Sequence, residues 1–543
     1  MWPQPLHFHN NQQHDKLHNQ NHHHHHHHVP SIGITPHSKP QQRQRWGETD
    51  GHPVISWGEL FFDLFFVAGA YNLASILKED TTAEGLLYFV GCFGGILQIW
   101  NRKLMYDAAF AVTTDDLWHT THRTMQYIVL GTAVLHIRPV GLMAQPKNSV
   151  EMFCYSLALL LDALLVAIQY GEVYKYGEGG PELKLTAVRE LKKNALVVAF
   201  YLAATTVAGV EFYIRGDGSP QENVSEAVTV YQHENSEIEP NYIPIILILC
   251  GWLSYGGVIL YDAFILYASE REVHKVTVPF NVEYIIHRQG ELVMVLLGES
   301  VLSLLIVQIS YGTDYYLSFY CGLLSVVGFQ SLHYRSQPHH AEEHAMRRST
   351  KAGTLFLLLM QSYSMALVAL GASYKLLLTE HIYDDGYNDH YLYGSSRRLG
   401  GEELPMAERR QRIAVLFTAS LTVAFAVLDA MILCHKGIRE NWNRLKSRKG
   451  VVVTLIRIAL LLFCASFSFY VSEPEILSIA GLLAIALQIV FRVAGTLVFS
   501  MDRIEAEKNK TNGYDEEESH NSGSNLIFSI FYSPLYHGKD AAD

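Results

Sequence analysis

The chain has 543 residues, of which 49% are hydrophobic and only 17% are charged, with a formal net charge of −12. A soluble protein of this length would divide into roughly three or four domains. Instead, apolar stretches recur that are long enough to cross the ~30 Å hydrocarbon core of a bilayer. The negative charge is spread over loops and tails, and no basic stripe with interleaved aromatic residues occurs, so nothing indicates a nucleic-acid partner.

Twelve apolar segments, each of about 20 residues, predict transmembrane helices. They cover residues 57–77, 84–104, 124–144, 150–171, 194–214, 243–268, 289–309, 315–334, 353–378, 413–434, 451–471 and 475–499. The sequence therefore predicts an all-α polytopic membrane protein with about twelve transmembrane helices, surrounded by the lipid bilayer.

Polar tails flank this region. Residues 1–53 are rich in His, Gln and Asn, include a histidine run at His22–His28 and lack the apolar core of a cleavable signal peptide. We expect this tail and the polar residues 503–543 to be cytoplasmic and disordered. The histidine run could bind zinc or nickel, although such tracts are more often incidental. Between the tails, residues 54–270 and 271–502 each hold six predicted helices.

Loop charge predicts the orientation of the chain. With a cytosolic N-terminus, the inner loops 172–193 and 435–450 carry many Lys and Arg, whereas the outer loop 215–242 is acidic. The outer loop 379–412 holds five arginines and weakens this contrast. The positive-inside rule still favours both termini in the cytosol. Asn223 lies in an Asn-Val-Ser glycosylation motif on the outer side, which favours a secretory-route membrane such as the plasma membrane.

Short repeats indicate an internal duplication. The tripeptide Gly58-Glu59-Leu60 recurs as Gly290-Glu291-Leu292, and Gln98 recurs as Gln330 at the same offset of 232 residues. Since each half has an even number of helices, the halves share one orientation and are related by an axis along the membrane normal. We therefore predict two parallel six-helix halves.

Charged residues inside the apolar segments are the strongest functional signal. Glu59 and Asp63 lie four residues apart, so both carboxylates project from one face of the first helix. An acid near the bilayer centre costs about 2.5–3.5 kcal/mol, and such residues usually face the bundle interior. In the seventh helix, Arg288 and Glu299 share a face about 16 Å apart along the axis, so each needs a partner elsewhere. Gly298 is expected to let another helix approach closely.

Further acids lie in the middle of apolar segments. They are Asp162, Asp262 and Asp429, whereas the basic partners Arg457 and Arg492 are fewer. We therefore expect some acids to be protonated, solvated by water or occupied by a cation, which favours proton or cation handling. The alternative is that they hydrogen-bond to neighbouring helices and only fix the packing.

Two inner loops concentrate histidine and charge. They contain Asp115, Asp116, His119, His122 and Arg123 in the first, and His339, His340, Glu342, Glu343, His344, Arg347 and Arg348 in the second. Their spacings could ligate a divalent metal if helical, but neither loop has the HExxH arrangement of zinc peptidases. Ion pairing and headgroup contact at the membrane edge are the other interpretation. No nucleophile elbow, phosphate loop or dinucleotide fingerprint is found, so no cofactor is predicted.

Several motifs occur in one order along the chain: ELFFDLFFVAGA, the D-D-x-x-H…H-R loop, R-x-G followed by LGES, and HAMRRSTKAG. They resemble the bacterial low temperature requirement protein A family over about residues 54–500. That family consists of multipass membrane proteins associated by name with growth in the cold, and its biochemical activity is poorly defined. The resemblance therefore implies the architecture more than the activity.

The resemblance carries over to single positions. They are Glu59, Asp63, Asp115, Asp116, His122, Arg123, Arg288, Gly290, Glu299, His344, Arg347 and Arg348. This chain departs from the family at Tyr284 and His287, where the family has His and Glu, and at Gln361 or Ser362, where it has another His. If those groups belong to a proton or metal site, the activity of this chain is altered.

Three functions fit the sequence. The first is a transporter or proton- or cation-coupled permease that uses Glu59, Asp63, Glu299 and Asp262 as ion-binding groups and Arg288 as a tuning charge. The second is a non-catalytic membrane protein for cold or stress tolerance. The third is a metal-dependent membrane enzyme built on the inner loops. The sequence favours a non-enzymatic role, with protons, small cations or solutes as partners, and leaves the substrate and a homo-oligomer open.

Overall fold

The computed structural model describes residues 38–44, 57–111, 116–143, 149–216, 241–266, 278–307, 312–338, 343–384, 405–436 and 448–511. Its helices, in chain order, are α1 (Trp57–Glu79), α2 (Ala83–Ala109), α3 (Leu117–Leu135), α4 (Val140–Met143), α5 (Ser149–Tyr176), α6 (Pro181–Gly216), α7 (Ile243–Tyr261), α8 (Val282–Leu305), α9 (Thr313–Ser336), α10 (Ala345–Arg348), α11 (Thr350–Asp384), α12 (Met406–Lys436), α13 (Arg448–Ser466) and α14 (Pro474–Thr511). A π-helical turn, Asp262–Leu266, follows α7.

Among the described residues, nine helices are long and apolar enough to cross a membrane, namely α1, α2, α5, α6, α7, α11, α12, α13 and α14. The remaining predicted spans coincide with α3, α8 and α9, which fall outside this set. The charge of α8 keeps it out of this set. Every stretch of 18 residues in α8 contains the three charged residues Arg288, Glu291 and Glu299. Twelve spans and two duplicated halves therefore stay predictions, as do the boundaries of the halves and tails.

Side-chain caps begin the helices that carry the charged residues. Asn281 caps α8 by accepting a hydrogen bond from the Tyr284 amide at 2.7 Å. Asp116 caps α3 by accepting one from the Trp118 amide at 2.7 Å. Such caps satisfy amides that have no partner within the helix. They fix the first residue of α8 and of α3, and therefore the position of each charged residue along its helix.

The short strand β1 (Gln41–Gln42) crosses the end of α2. It pairs antiparallel with β2 (Phe110–Ala111), which directly follows α2. On either side of it, Lys39 forms an ion pair with Glu178 at 2.6 Å, and Arg43 donates to the Asp107 carbonyl at 2.6 Å. The end of the N-terminal tail is thus attached to the predicted cytoplasmic face of the helices.

Buried apolar side chains form two large clusters that meet at α8 and α11. One cluster draws on α1, α2, α3, α5, α6 and α7, and the other on α9, α12, α13 and α14. Leu292 and Leu296 of α8 belong to the first cluster, while Val293 and Leu297 belong to the second. Opposite sides of α8 therefore pack into different cores.

The close helix contact expected at Gly298 is found at Gly371 instead. A Cβ atom at Gly298 would meet nothing within 4 Å, because this glycine lies on the exposed side of α8. A Cβ atom at Gly371 of α11 would lie 2.7 Å from the Ser300 Oγ and 3.3 Å from the Ser300 Cα. The prediction for Gly298 was therefore wrong, and α8 approaches α11 on the opposite face.

We expect Gly371→Ala to destabilise the protein by about 1–3 kcal/mol, because α8 and α11 must move apart to admit the methyl group. Gly298→Ala is the matched control, and it should be neutral or stabilising by up to roughly 1 kcal/mol because alanine favours helix. Thermal unfolding of both variants in detergent checks this. Equal losses of stability would contradict the assigned contact.

Candidate functional site: a buried charged cluster between α1 and α8

Arg288 of α8 and Asp63 of α1 form a bidentate ion pair. The guanidinium donates from Nη1 to Asp63 Oδ2 at 2.8 Å and from Nη2 to Asp63 Oδ1 at 2.9 Å. Both side chains are buried, with 4% and 3% of their surface exposed. Such paired hydrogen bonds are stronger and more directional than single ones. The pair therefore locks α1 and α8 in one register.

Neighbouring polar groups complete the cluster. Trp100 of α2 donates its indole N–H to Asp63 Oδ1 at 3.0 Å. One turn from the ion pair, the Tyr284 hydroxyl donates to Glu59 Oε1 at 2.8 Å. Arg288 also meets Glu291 Oε2 at 2.5 Å and donates to the Glu59 backbone carbonyl at 3.3 Å, so two carboxylates and one carbonyl surround the guanidinium group.

A small cavity adjoins the ion pair. It is lined in part by Phe62, Trp100, Lys103, Tyr284 and Arg288, and its free volume is about 10 Å³. That is room for about one water molecule. In this conformation the cluster is therefore closed to any larger solute.

Glu299 lies on the same helix as Arg288 but outside the cluster. Its side chain is 3% exposed, and Oε1 accepts a hydrogen bond from the Ser303 hydroxyl at 2.9 Å, while Oε2 has no hydrogen-bond partner among the described residues. Lys375 of α11 is close enough to interact with it electrostatically. The structure thus brings Glu59, Asp63 and Arg288 together and keeps Glu299 apart.

Asp262 belongs to a different part of the molecule. It begins the π-helical turn after α7, and its Oδ2 accepts hydrogen bonds from Arg189 Nη2 at 2.7 Å and Nε at 3.1 Å. Lys193 Nζ lies 3.2 Å from the same oxygen. Both cations come from α6, so the described contacts of Asp262 tie α7 to α6.

The other two intramembrane aspartates are also paired. Arg102 Nη2 donates to Asp162 Oδ2 at 2.5 Å. Asp429 Oδ1 lies 3.3 Å from Arg492 Nη2 and 3.7 Å from Arg457 Nη1. The expected surplus of acids without basic partners is therefore wrong for Asp162, Asp262, Asp429 and Asp63, because each meets Arg or Lys.

Sequence reasoning missed Arg102 and Trp100. Both lie near the end of α2, within 4 residues of the predicted span's last position. The sequence analysis did not consider either residue as a partner for the intramembrane acids. The signal that could have found Arg102 is its position inside the apolar segment 84–104, where a charged residue needs a partner.

The first inner loop docks α3 onto the end of α5. His119 Nδ1 lies 3.0 Å from Asp116 Oδ2, and His119 Nε2 lies 3.2 Å from Glu172 Oε1. Burial opposes the charge of Asp116, but hydrogen bonds from Ser38 and His119 outweigh it and hold the pKa of this carboxyl well below its usual range. His122 is buried one turn from His119.

Of the two remaining charged residues in this loop, the structure describes only one. Arg123 lies beside Gly58 at the start of α1, where Tyr127 donates to the Gly58 carbonyl at 2.9 Å. Asp115 lies outside the described residues. The predicted glycosylation site at Asn223 also lies outside them.

The second inner loop packs onto α12 through aromatic contacts. The ring centroids of His344 and His435 are 4.5 Å apart, and His435 Nδ1 accepts a hydrogen bond from the Ala345 amide at 3.0 Å. Arg348 donates to the His435 carbonyl at 2.7 Å, and Arg347 reaches Glu283 of α8 at 3.1 Å. These contacts position the loop against the helix ends.

Metal binding has no support in the described part of the chain. Within residues 38–44, 57–111, 116–143 and the later described ranges, no group of three or more His, Cys, Asp or Glu side chains is arranged to hold a metal ion. His339, His340 and Glu342 lie outside these ranges. Of the sequence-predicted histidines, His119 and His344 are instead engaged in the docking contacts above.

One known protein family matches almost the whole helical part of the chain. The family described as "Bacterial low temperature requirement A protein (LtrA)" matches residues 54–491, which include α1 to α13 and most of the apolar part of α14. The chain belongs to the LtrA family. It is therefore an integral, multi-pass, all-α membrane protein. No curated protein and no solved structure matches it.

The resemblance implies a departure from the family pattern at Tyr284, at His287 and at Gln361 or Ser362, and the structure describes these positions. Tyr284 donates to Glu59, as described above. Gln361 of α11 accepts a hydrogen bond from the Trp252 indole N–H at 3.0 Å and so links α11 to α7. His287 lies on the exposed side of α8. Tyr284 and Gln361 thus each join two helices, and a tyrosine stands where the resemblance implies a histidine.

A double-mutant cycle tests the Asp63–Arg288 pair. Asp63→Asn and Arg288→Gln should each destabilise the protein by about 3–5 kcal/mol, because each leaves a buried charge without its partner. The double variant should lose less than the sum of both. Unfolding free energies in detergent are the measurement. Glu291→Gln, at a position with a 25% exposed side chain, is the control with a smaller effect; additive losses would argue against the pair.

Acid should loosen the second inner loop. Burial, reinforced by His435, lowers the pKa of His344 to about 3, whereas an unfolded histidine titrates near ~6.5. The unfolded loop takes up the proton first, so the stability is complete above pH ~6.5 and is lost as the pH falls toward the folded value. Hydrogen exchange of residues 343–349 across this range should show it. His344→Asn keeps a helix cap and should remove this acid sensitivity; an unchanged pH profile would contradict the assignment.

Proposed function

We propose that this LtrA protein is a carrier that moves a small solute or ion along the interface of α1, α8 and α11, coupled to protonation of Glu299. One contrast carries the proposal. The four intramembrane aspartates described above each meet Arg or Lys within 4.0 Å, whereas the described hydrogen bond of Glu299 comes from the neutral Ser303 hydroxyl. Paired acids hold helices together, and Glu299 remains for proton exchange.

Physical chemistry favours a proton at this position. A buried carboxylate is costly when no cation or full set of hydrogen bonds compensates it, and binding a proton removes the charge. Lys375 interacts with Glu299 electrostatically, but no ion pair within 4.0 Å joins them in the described structure. Protonation would weaken the attraction between α8 and α11, so it gives a direct route from proton binding to helix movement.

The order of charged and apolar layers along α8 supports the same proposal. Arg288 and Glu299 are 11 residues apart, which is about 16 Å along the axis. Between them, Leu292 and Leu296 belong to the same buried apolar cluster as Phe66 of α1. Carriers with alternating access keep such a barrier closed on one side while the other opens. Opening at the Arg288 layer requires α1 to leave α8, which the ion pair opposes.

Orientation and location complete the proposal. Loop charge supports cytosolic termini, and in that orientation the Asp63–Arg288 pair would lie toward the cytosol because α1 and α8 would both begin on that side. The glycosylation motif at Asn223 supports a secretory-route membrane such as the plasma membrane. Protons, small cations and solutes are the proposed partners.

A purely structural role in cold or stress tolerance is the second candidate. The observation that favours it is the pairing of the four aspartates, because ion pairs of this kind can serve packing alone. Under this alternative Glu299 only accepts a hydrogen bond from Ser303, one turn further along the same helix. The two candidates differ in whether the parent protein moves any solute.

Flux through reconstituted protein separates the candidates. Wild-type proteoliposomes should accumulate at least one member of a solute and cation panel under an imposed pH gradient. Glu299→Gln should abolish this pH-driven uptake while still inserting, because glutamine keeps the shape and cannot exchange a proton. Glu283→Gln, which removes a partly exposed acid at the start of the same helix, should keep it.

The same assay includes a sodium gradient without a pH gradient, which identifies coupling to a cation instead of a proton. Full pH-driven uptake in Glu299→Gln would contradict the proposal. A wild-type protein that moves no member of the panel would favour the structural role.

A further inference from the structure

Residues 38–44, here called the strap, lie across the ends of three helices. The strap pairs with β2 at the end of α2, as described above. In addition, the Ser38 amide donates to the Asp116 carboxylate, which caps α3. The Pro40 carbonyl accepts a hydrogen bond from the Glu178 amide, just after α5, at 3.2 Å. The strap is therefore attached to α2, α3 and α5 on one side of the molecule.

Arg43 joins the strap to the charged cluster between α1 and α8. Its guanidinium lies 4.2 Å from the ring centroid of Tyr284, and its Nη1 donates to the Asp107 carbonyl at 2.6 Å. A guanidinium over an aromatic ring is attracted by the electrons of the ring face. Tyr284 in turn donates to Glu59. Tyr284 and Asp107 both line the small cavity beside Arg288, so Arg43 contacts two residues of the cavity wall.

The contacts of Arg43 oppose a separation of α8 from α2. The Arg43 amide donates to the Ala109 carbonyl at 2.9 Å, so the backbone of this residue is fixed to the end of α2, while its side chain covers Tyr284 of α8. The hydrogen bond from the Asn281 amide to the Ala108 carbonyl, at 2.9 Å, acts in the same direction. Since α8 carries one wall of the cavity, a docked strap keeps the cavity narrow.

The strap itself is lightly packed. Pro40 is buried, Lys39 and Gln41 are exposed, and the other residues of the strap are half-buried. Its ladder with β2 has two residues on each strand, and the ion pair of Lys39 with Glu178 is more than half exposed on both sides. Segments with so little buried surface open locally while the rest of the protein stays folded. The strap can therefore detach without unfolding the helices.

We propose that the strap is an autoinhibitory contact. It holds the cavity beside Arg288 closed from the side at which α1 and α8 begin, and it must detach before α8 can move away from α1 and α2. The consequence for flux rests on the carrier function proposed above, whereas the closure of the cavity does not. The strap precedes residues 54–491, so it lies outside the part of the chain that matches the LtrA family.

Reaction of a cysteine in the cavity tests the closure without any transport substrate. Leu104 of α2 lines the cavity and is 3% exposed. In the full-length Leu104→Cys protein in detergent, a charged methanethiosulfonate reagent should label this position slowly. Adding Arg43→Ala should raise the labelling rate about tenfold, because the strap loses a cation–π contact and a charge-assisted hydrogen bond. Peptide mass spectrometry separates this label from those on the native cysteines.

A matched charge control and a second readout complete this measurement. Lys184→Ala removes an exposed lysine at the start of α6 and should keep the slow rate of labelling. Hydrogen exchange of residues 282–288 reports on the same opening without an added cysteine, and it should become faster in Arg43→Ala. Equal labelling in Arg43→Ala and its parent, or equal exchange where Leu104→Cys does not fold, would overturn the proposal.

A disulfide that locks the strap tests its effect on flux. Gln41 and Ala111 are partners in the β1–β2 pair, and cross-strand partners lie at a distance that a disulfide can bridge. Oxidised Gln41→Cys/Ala111→Cys in proteoliposomes should lose most of its pH-driven uptake, because the tether keeps Arg43 over Tyr284. A reductant should restore the uptake.

The single variant Gln41→Cys is the control for the locked protein, and it should transport equally before and after oxidation. Full uptake by the locked protein would overturn the claim that the strap must detach. If the parent moves no solute of the panel, the carrier function fails, and the labelling of Leu104→Cys then decides whether the strap closes the cavity.

Discussion

The ion pair between Asp63 and Arg288 is the interaction on which the arrangement of α1 and α8 depends. It joins side chains 225 residues apart in the sequence, and the Glu59–Tyr284 hydrogen bond repeats the same offset one turn away. In a low-dielectric interior such a pair is stable only when its geometry is good and its remaining lone pairs are satisfied. The bidentate contact of the guanidinium and the hydrogen bond from the Trp100 indole meet both conditions. The first helix is thereby fixed against the helix that opens the second predicted half.

Pairing also distinguishes two kinds of intramembrane acid. Asp162 and Asp429 both lie in a Leu-Asp-Ala sequence on the fourth predicted helix of a half, and each meets an arginine buried in the same group of helices. This parallel supports the predicted duplication, although the two aspartates are 267 residues apart and the tripeptides near Glu59 are 232 apart. Loops of different length explain that difference. Glu299 has no such ion pair among the described residues, and for this reason we propose it as the group for proton exchange.

Hydropathy located the helices because lipid requires about 20 consecutive apolar residues for each span. The spacing of Glu59 and Asp63 indicated a shared face, and the structure brings that face to Arg288. Partners could not be predicted in the same way, because they depend on which helices are neighbours. Arg102 therefore escaped notice at the end of α2, and the surplus of acids was overestimated. Gly298 was misjudged for a related reason, since a missing side chain does not reveal which face meets another helix.

We propose that Glu299 exchanges a proton, whereas Asp63 holds α1 to α8 through its ion pair with Arg288. Infrared difference spectra between two pH values, recorded on the protein in lipid, observe this directly through the carbonyl band of a protonated carboxyl group. The account predicts a pH-dependent band that disappears in Glu299→Gln and persists in Glu283→Gln. A band that survives in Glu299→Gln, or one that is lost instead in Asp63→Asn with Glu299 intact, would contradict it.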